Sequence, residues 1–183
     1  MALTPQQLII LDRDGVINED SDQYIKSLKE WKPYPQAIDS IARLSNAGWA
    51  IAIATNQSGI ARGYLTEDTL AQIHHAMLEL VQRAGGNIAH IAYCPHGPND
   101  ACDCRKPRAG LLRQIRHALG LKNLDGAWLV GDSMRDLQAG AAMGCRRVLV
   151  RTGKGANTEL NERLNNILVF NDLSEFTEYL LQH

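Results

Sequence analysis

Asp12-Arg13-Asp14-Gly15 holds two carboxylates two residues apart. In an extended segment such residues point to the same side, so both can face one cavity. Carboxylates held close repel and hold their protons more tightly unless a cation neutralises them. Magnesium, which takes oxygen ligands and keeps several waters, suits that role. One carboxylate is then free to attack phosphorus as a nucleophile and the other to act as the acid for the leaving oxygen. Gly15 lets the chain turn sharply away. Three further runs fit the same chemistry. Thr55-Asn56-Gln57-Ser58-Gly59 offers hydroxyls, amides and a turn suited to phosphate oxygens. Arg105-Lys106-Pro107 supplies the fixed positive charge that phosphoryl transfer needs. Gly131-Asp132-Ser133-Met134-Arg135-Asp136 brings a metal-binding carboxylate, Asp132, with Asp136 about one turn further along. Asp136 is read either as a solvated charge or as a partner for Arg135 or Lys106.

A second cluster lies between these runs. Cys94, His96, Cys102 and Cys104 place three sulfurs and an imidazole within eleven residues. Cys3His is a complete tetrahedral zinc set, so the expectation is a closed structural site bracing a loop. Zinc there would leave Arg105 and Lys106 little freedom. Cys145 stands apart and is expected to be buried packing.

The elements that must position these residues alternate along the chain. Apolar runs at Leu8 to Leu11, Trp49 to Ala54, Ile88 to Tyr93, Trp128 to Val130 and Val148 to Val150 read as strands, with a weaker one near 167–170. Between them lie helical patterns over 35–47, from the N-cap Thr66 to Gly85-Gly86, over 109–119, from Ser133 to Met143, and from about Ser174. This alternation predicts an α/β fold, a Rossmann-like parallel sheet with helices on both faces, in one domain spanning 1–183. Asp12, Thr55 and Asp132 each follow a strand's C-terminal end, where open α/β sheets bind ligands. Val16 to Pro35 and Gln57 to Thr66 are too short for a folded cap, so no cap domain is expected, and selectivity must come from loops.

Composition limits the partners. The 183 residues are 45% hydrophobic and 21% charged, with net charge −1, which argues against a nucleic-acid groove or an anionic membrane as the main partner. No run approaches the ~20 apolar residues needed to span a bilayer. The start, Met-Ala-Leu-Thr-Pro-Gln-Gln, carries no basic leader, so a cytoplasmic, monomeric protein acting on a small molecule is expected.

In this order, each at a strand end, the four runs resemble the four motifs of the haloacid dehalogenase superfamily of phosphotransferases, over residues 8 to about 151. The resemblance implies that Asp12 is the nucleophile and that Asp14 protonates the leaving group, then activates water. It implies that Thr55 and Lys106 hold the phosphoryl group, and that magnesium is bound by Asp12, the backbone carbonyl of Asp14, and Asp132. The Cys-x-His…Cys-x-Cys-Arg-Lys-Pro run is similar to that of the D,D-heptose 1,7-bisphosphate phosphatases and the related histidinol-phosphate phosphatases. Leu-Asp-Arg-Asp-Gly-Val-Ile-Asn, Thr-Asn-Gln-Ser-Gly-Ile-Ala-Arg-Gly and Val150-Arg151-Thr152-Gly153-Lys154 favour the heptose branch. That likeness implies removal of the 7-phosphate from a heptose 1,7-bisphosphate bound for the lipopolysaccharide core. A bisphosphate needs a second anion site, for which Arg105 has the geometry. Asp20 is placed to accept sugar hydroxyls. Some members carry lysine at the position of Ser133. The alternatives are a histidinol-phosphate phosphatase, a polynucleotide 3′-phosphatase, and a non-catalytic zinc-braced binding protein.

Overall fold

The computed structural model describes residues 3–182; Met1 and Ala2, part of the start expected to carry no leader, lie outside the described residues. Six strands form one parallel sheet: β1 (Leu8–Leu11), β2 (Ala50–Asn56), β3 (His90–Cys94), β4 (Trp128–Gly131), β5 (Arg146–Val150) and β6 (Ile167–Phe170). Their order is β3-β2-β1-β4-β5-β6. The chain runs outward from β1 to β3, then returns to the other side of β1 with β4. That reversal opens a crevice outside the carboxyl ends of β1 and β4.

The continuous apolar run of β1 is explained by burial on both faces. Ile9 and Leu11 pack into one cluster with α1 (Pro35–Asn46), α2 (Glu67–Arg83) and α6 (Leu173–Gln182), through Ile41, Leu44, Ile73, Met77 and Phe176. Leu8 and Ile10 pack on the opposite face with α3 (Gly110–Ala118) and α4 (Met134–Ala141), through Leu111, Leu112, Ile115 and Ala139. All four β1 side chains are 0% exposed, so shortening any one of them to alanine would cost about 2–5 kcal/mol. A short helix, α5 (Gly155–Asn161), follows β5.

Several element ends differ from the sequence reading. β2 runs to Asn56, two residues past Ala54, and β3 covers 90–94 rather than 88–93. The Asn56↔Cys94 pair closes that ladder, so Cys94 belongs to the strand and sits beside the Thr55-Asn56-Gln57 run. β5 starts at Arg146 rather than Val148 because its ladder with β4 begins at Trp128, whose ring lies 5.1 Å beneath the Arg146 guanidinium. Residues 16–34 and 57–66 hold no helix or strand of their own, in keeping with a sheet that carries no cap. Among the described residues no helix is long and apolar enough to cross a membrane.

Candidate active site

The four motif runs converge at the crevice. Asp12 extends β1 by one rung, its amide donating to the Val130 carbonyl at 2.9 Å. Beyond it the amides of Val16, Ile17 and Asn18 all turn back to the Arg13 carbonyl. The strand alternation expected to aim Asp12 and Asp14 together therefore does not persist; a turn does that work. Gly15 sits at φ +86°, and a Cβ there would lie 2.1 Å from Oδ2 of Asp132. Gly153, at φ +59°, presses on the same oxygen, with a Cβ due at 2.3 Å. Only glycine lets two loops close this tightly over one carboxylate.

The cleft encloses about 200 Å³, and every residue expected to touch phosphate, sugar or magnesium lines it: Asp12, Asp14, Asp20, Thr55, Asn56, Gln57, Ser58, Arg105, Lys106, Asp132 and Ser133. Asp136 lines it too.

The buried Lys106 is the hub. Its ammonium donates to the Ala54 carbonyl at 2.6 Å and pairs with Oδ1 of Asp12 at 2.9 Å and Oδ1 of Asp136 at 2.6 Å. Burial works against the charged amine, yet Asp12 and Asp136 hold its pKa above the ordinary lysine value. The openings left at sequence level thus resolve: Asp136 is 1% exposed and partners Lys106 rather than Arg135 or solvent. Its other oxygen, Oδ2, accepts from the Ser133 hydroxyl at 2.7 Å and amide at 3.1 Å. Ser133, expected at the substrate, therefore spends its hydroxyl proton on Asp136, the two forming the capping box that opens α4.

Asn56 also differs from expectation. Its amide clamps the Lys106 backbone, accepting from the nitrogen at 3.0 Å and donating to the carbonyl at 3.1 Å. Gln57 donates to both Asp14 Oδ2 and Thr55 Oγ1. Both side chains hold other site residues in place.

The electrostatics favour a cation. Asp12, Asp132 and Asp136 offer carboxylate oxygens within 4.8 Å of one another, and the Lys106 ammonium pairs with two of them, Asp12 and Asp136. Burial first, then Asp136 and Asp132, raise the Asp12 carboxyl well above the ordinary range, despite Lys106. Asp132 is pushed up to about 7, by burial and then by Asp136, with the Lys154 amide on its Oδ2 opposing. The expected mutual pressure of Asp12 and Asp14 is a minor part of this, because the Asp14 carboxylate is held by Arg13, Asn18 and Gln57. An all-oxygen set with excess negative charge fits magnesium.

Beside the cleft, Cys94, His96, Cys102 and Cys104 form a second cluster within 4.8 Å. Sulfurs stand 3.1 and 3.9 Å apart, and Nδ1 of His96 lies 3.6 and 3.2 Å from two of them. Tetrahedral zinc with Zn–S near 2.3 Å spaces its sulfurs by about 3.8 Å, so the donor set fits. Burial pushes the Cys104 thiol up to about 12, so that sulfur keeps its proton unless a cation replaces it. Cys145 is buried packing, as expected.

Sequence reasoning missed Arg13, Asn18, His74 and Lys154. Lys154 lies in a run noted for its resemblance alone, yet its ammonium pairs with Asp20 at 3.3 Å and Asp22 at 3.0 Å across the cleft mouth. Asp20, expected to face sugar hydroxyls, is therefore already engaged by a cation.

Comparison with known proteins agrees with this geometry. The profile of the HAD-hydrolase-like family matches residues 103–176. The D-glycero-beta-D-manno-heptose-1,7-bisphosphate 7-phosphatase of Pseudomonas aeruginosa is 54% identical over 177 residues, covering 97% of this chain and 99% of the relative. That of Neisseria meningitidis serogroup B is 46% identical over 181 residues, covering 96% and 95%. Among solved structures, the D,D-heptose 1,7-bisphosphate phosphatase from B. bronchiseptica, complexed with magnesium and phosphate, superposes with a TM-score of 0.92 at 47% identity, covering 96% of this chain and 98% of that one.

Proposed function

Because the chain belongs to the D-glycero-beta-D-manno-heptose-1,7-bisphosphate 7-phosphatase family of HAD-like hydrolases, we propose that it removes the 7-phosphate of that sugar bisphosphate through a covalent intermediate on Asp12. The observation that carries the reading is the Lys106 ammonium bridging Asp12 and Asp136 at the floor of the cleft.

Both close contacts of the Asp12 carboxylate, from the Arg13 amide and from Lys106, are made to Oδ1. Oδ2 is the oxygen that attacks phosphorus as the bond to the sugar oxygen breaks. Protonated Asp14 gives its proton to that leaving oxygen. In the second half, Asp14 takes a proton from water as the water oxygen attacks phosphorus and frees the Asp12 carboxylate. The cycle ends with inorganic phosphate, the sugar 1-phosphate and Asp14 protonated again. Magnesium held by Asp12, the Asp14 carbonyl and Asp132 supplies the positive charge that lets carboxylates and phosphate share the cleft. Thr55 and Ser58 receive phosphoryl oxygens, and Lys106 does so by exchanging one of its present acceptors. Arg105 and Lys154, at the cleft mouth, receive the distal phosphate, and Asp20 the sugar hydroxyls. Zinc at the four-ligand loop holds Arg105 and Lys106 in register. Residues 1–183 act as one phosphatase domain on a small phosphosugar, and the product serves lipopolysaccharide core synthesis.

Steady-state phosphate release tests the reading across both heptose 1,7-bisphosphate anomers, histidinol phosphate and a 3′-phosphorylated oligonucleotide, each with magnesium. The expected result is preference for a heptose bisphosphate. Preference for histidinol phosphate or the oligonucleotide would overturn the substrate, and no release from any of them would overturn the chemistry.

A further inference from the structure

Arg13 is the largest fully buried side chain of the molecule that carries a charge, at 0% exposure. Its guanidinium forks onto Asp14, with Nε donating to Oδ1 at 2.9 Å and Nη2 to Oδ2 at 3.1 Å. The remaining nitrogen, Nη1, points away from the cleft and lies 3.3 Å from Nε2 of His74. His74 stands on α2, no residue of which lines the cleft. A guanidinium only donates, so Nε2 of His74 is the acceptor and the imidazole is neutral, with its proton on Nδ1. Burial and the adjacent Arg13 charge bring the His74 pKa down to about 4, which keeps that lone pair available at neutral pH.

We propose that His74 is a positioning residue for phosphoryl transfer, acting through Arg13 to fix the orientation in which Asp14 meets the leaving oxygen. The proposal rests on the reading of Asp14 as the acid and base of the reaction. A guanidinium held only by its fork can roll with the carboxylate it grips. One anchored at its third nitrogen cannot, because rolling would strand a buried N–H without an acceptor. Asp14 carries four donors in all: Arg13 Nε and Asn18 on Oδ1, Arg13 Nη2 and Gln57 on Oδ2. Receiving a proton means releasing one of them. With Arg13 fixed from behind, the contacts that yield are those of the neutral amides, and the carboxyl keeps its plane through both half-reactions. Catalysis is sensitive to such alignment, since small misplacements of an acid or base cost rate and not binding.

The test compares His74→Leu, which keeps bulk and removes the acceptor, with His74→Gln, whose Oε1 can accept from Arg13. With the heptose bisphosphate as substrate, His74→Leu is expected to lower kcat about tenfold with KM unchanged, and His74→Gln to restore kcat to within about twofold. Wild-type kcat in His74→Leu would overturn the proposal. So would a loss that His74→Gln fails to recover, since packing alone then explains it. If His74→Leu does not fold, His74→Asn, whose shorter amide stops short of Arg13, takes its place against His74→Gln. A wild-type protein that releases no phosphate would instead sink the functional reading itself, and this proposal with it. An active wild type with unaffected variants sinks the proposal alone.

Discussion

Cys94, His96, Cys102 and Cys104 come from one excursion of eleven residues, whereas Asp12, Asp132 and Asp136 meet only because β1 and β4 are neighbours in the sheet. The thiol cluster stands at second hand to the cleft, through Arg105, the one residue between Cys104 and Lys106. The carboxylate cluster lies in the cleft proposed for the chemistry and bears an electrostatic cost, visible in the raised pKa values of Asp12 and Asp132. The difference separates two uses of a metal. In the loop, a zinc ion would replace a hydrophobic core that so short a segment cannot build. In the cleft, it offsets a repulsion that the sheet imposes by bringing acidic strand ends together.

Asp12→Asn breaks the comparison most sharply. It should lower phosphate release by about four orders of magnitude or more, as loss of a covalent nucleophile does. Its melting temperature should stay within a few degrees of wild type, because the change removes a buried charge that its neighbours oppose. Retained turnover in that variant would remove Asp12 from the nucleophile's role. Cys104→Ser tests the other region and should show the reverse balance. Zinc content by elemental analysis should fall, the melting temperature should drop, and kcat/KM should decline only about tenfold as Lys106 loses its brace. A zinc-free variant of unchanged stability would show that the loop does not need the ion.

The carboxylate cluster also predicts a pH signature that the thiol cluster does not share. With magnesium chelated, Asp132 holds its proton to about 7 in the folded protein, against an ordinary 3.8. The folded state therefore binds more protons than the unfolded state between those values, and stability must fall as pH rises through that window. Thermal melts across it should show this decline, and added magnesium should flatten it by binding the ionised form. A metal-free protein that grew more stable toward neutrality would contradict the raised Asp132 value. The smallest effect is expected for Ser133→Ala. Losing the cap on α4 and the hydroxyl on Asp136 should cost about 1 kcal/mol, read as a few degrees in melting temperature, with magnesium affinity weakened only slightly.

The same contrast explains what could be read from the chain. Four metal-ligand residues at close spacing are a local pattern, and their meeting in space needs only a loop. The strand runs were legible because β1 is apolar on consecutive residues and is buried on both faces. The strand ends were less so, since polar Arg146 and Arg147 enter β5 through the ladder with β4 rather than through hydrophobicity. The roles inside the cleft were the least legible. Asn56 and Ser133 have the chemistry of phosphate ligands, and only their neighbours decide that one clamps Lys106 and the other caps α4. Arg13 was hidden for the opposite reason: an arginine beside an aspartate is ordinarily a surface residue, and nothing in its spacing shows that it turns inward to His74.

The sequence by itself determined the four motif runs, the parallel α/β scaffold and the thiol loop, because each is encoded in residue type and short-range spacing. Which carboxylate presses on which, and which side chains are spent on holding others, was decided only by tertiary structure. Electrostatic and hydrogen-bond partners depend on distances of a few ångströms between segments far apart in the chain, and no one-dimensional pattern carries those distances.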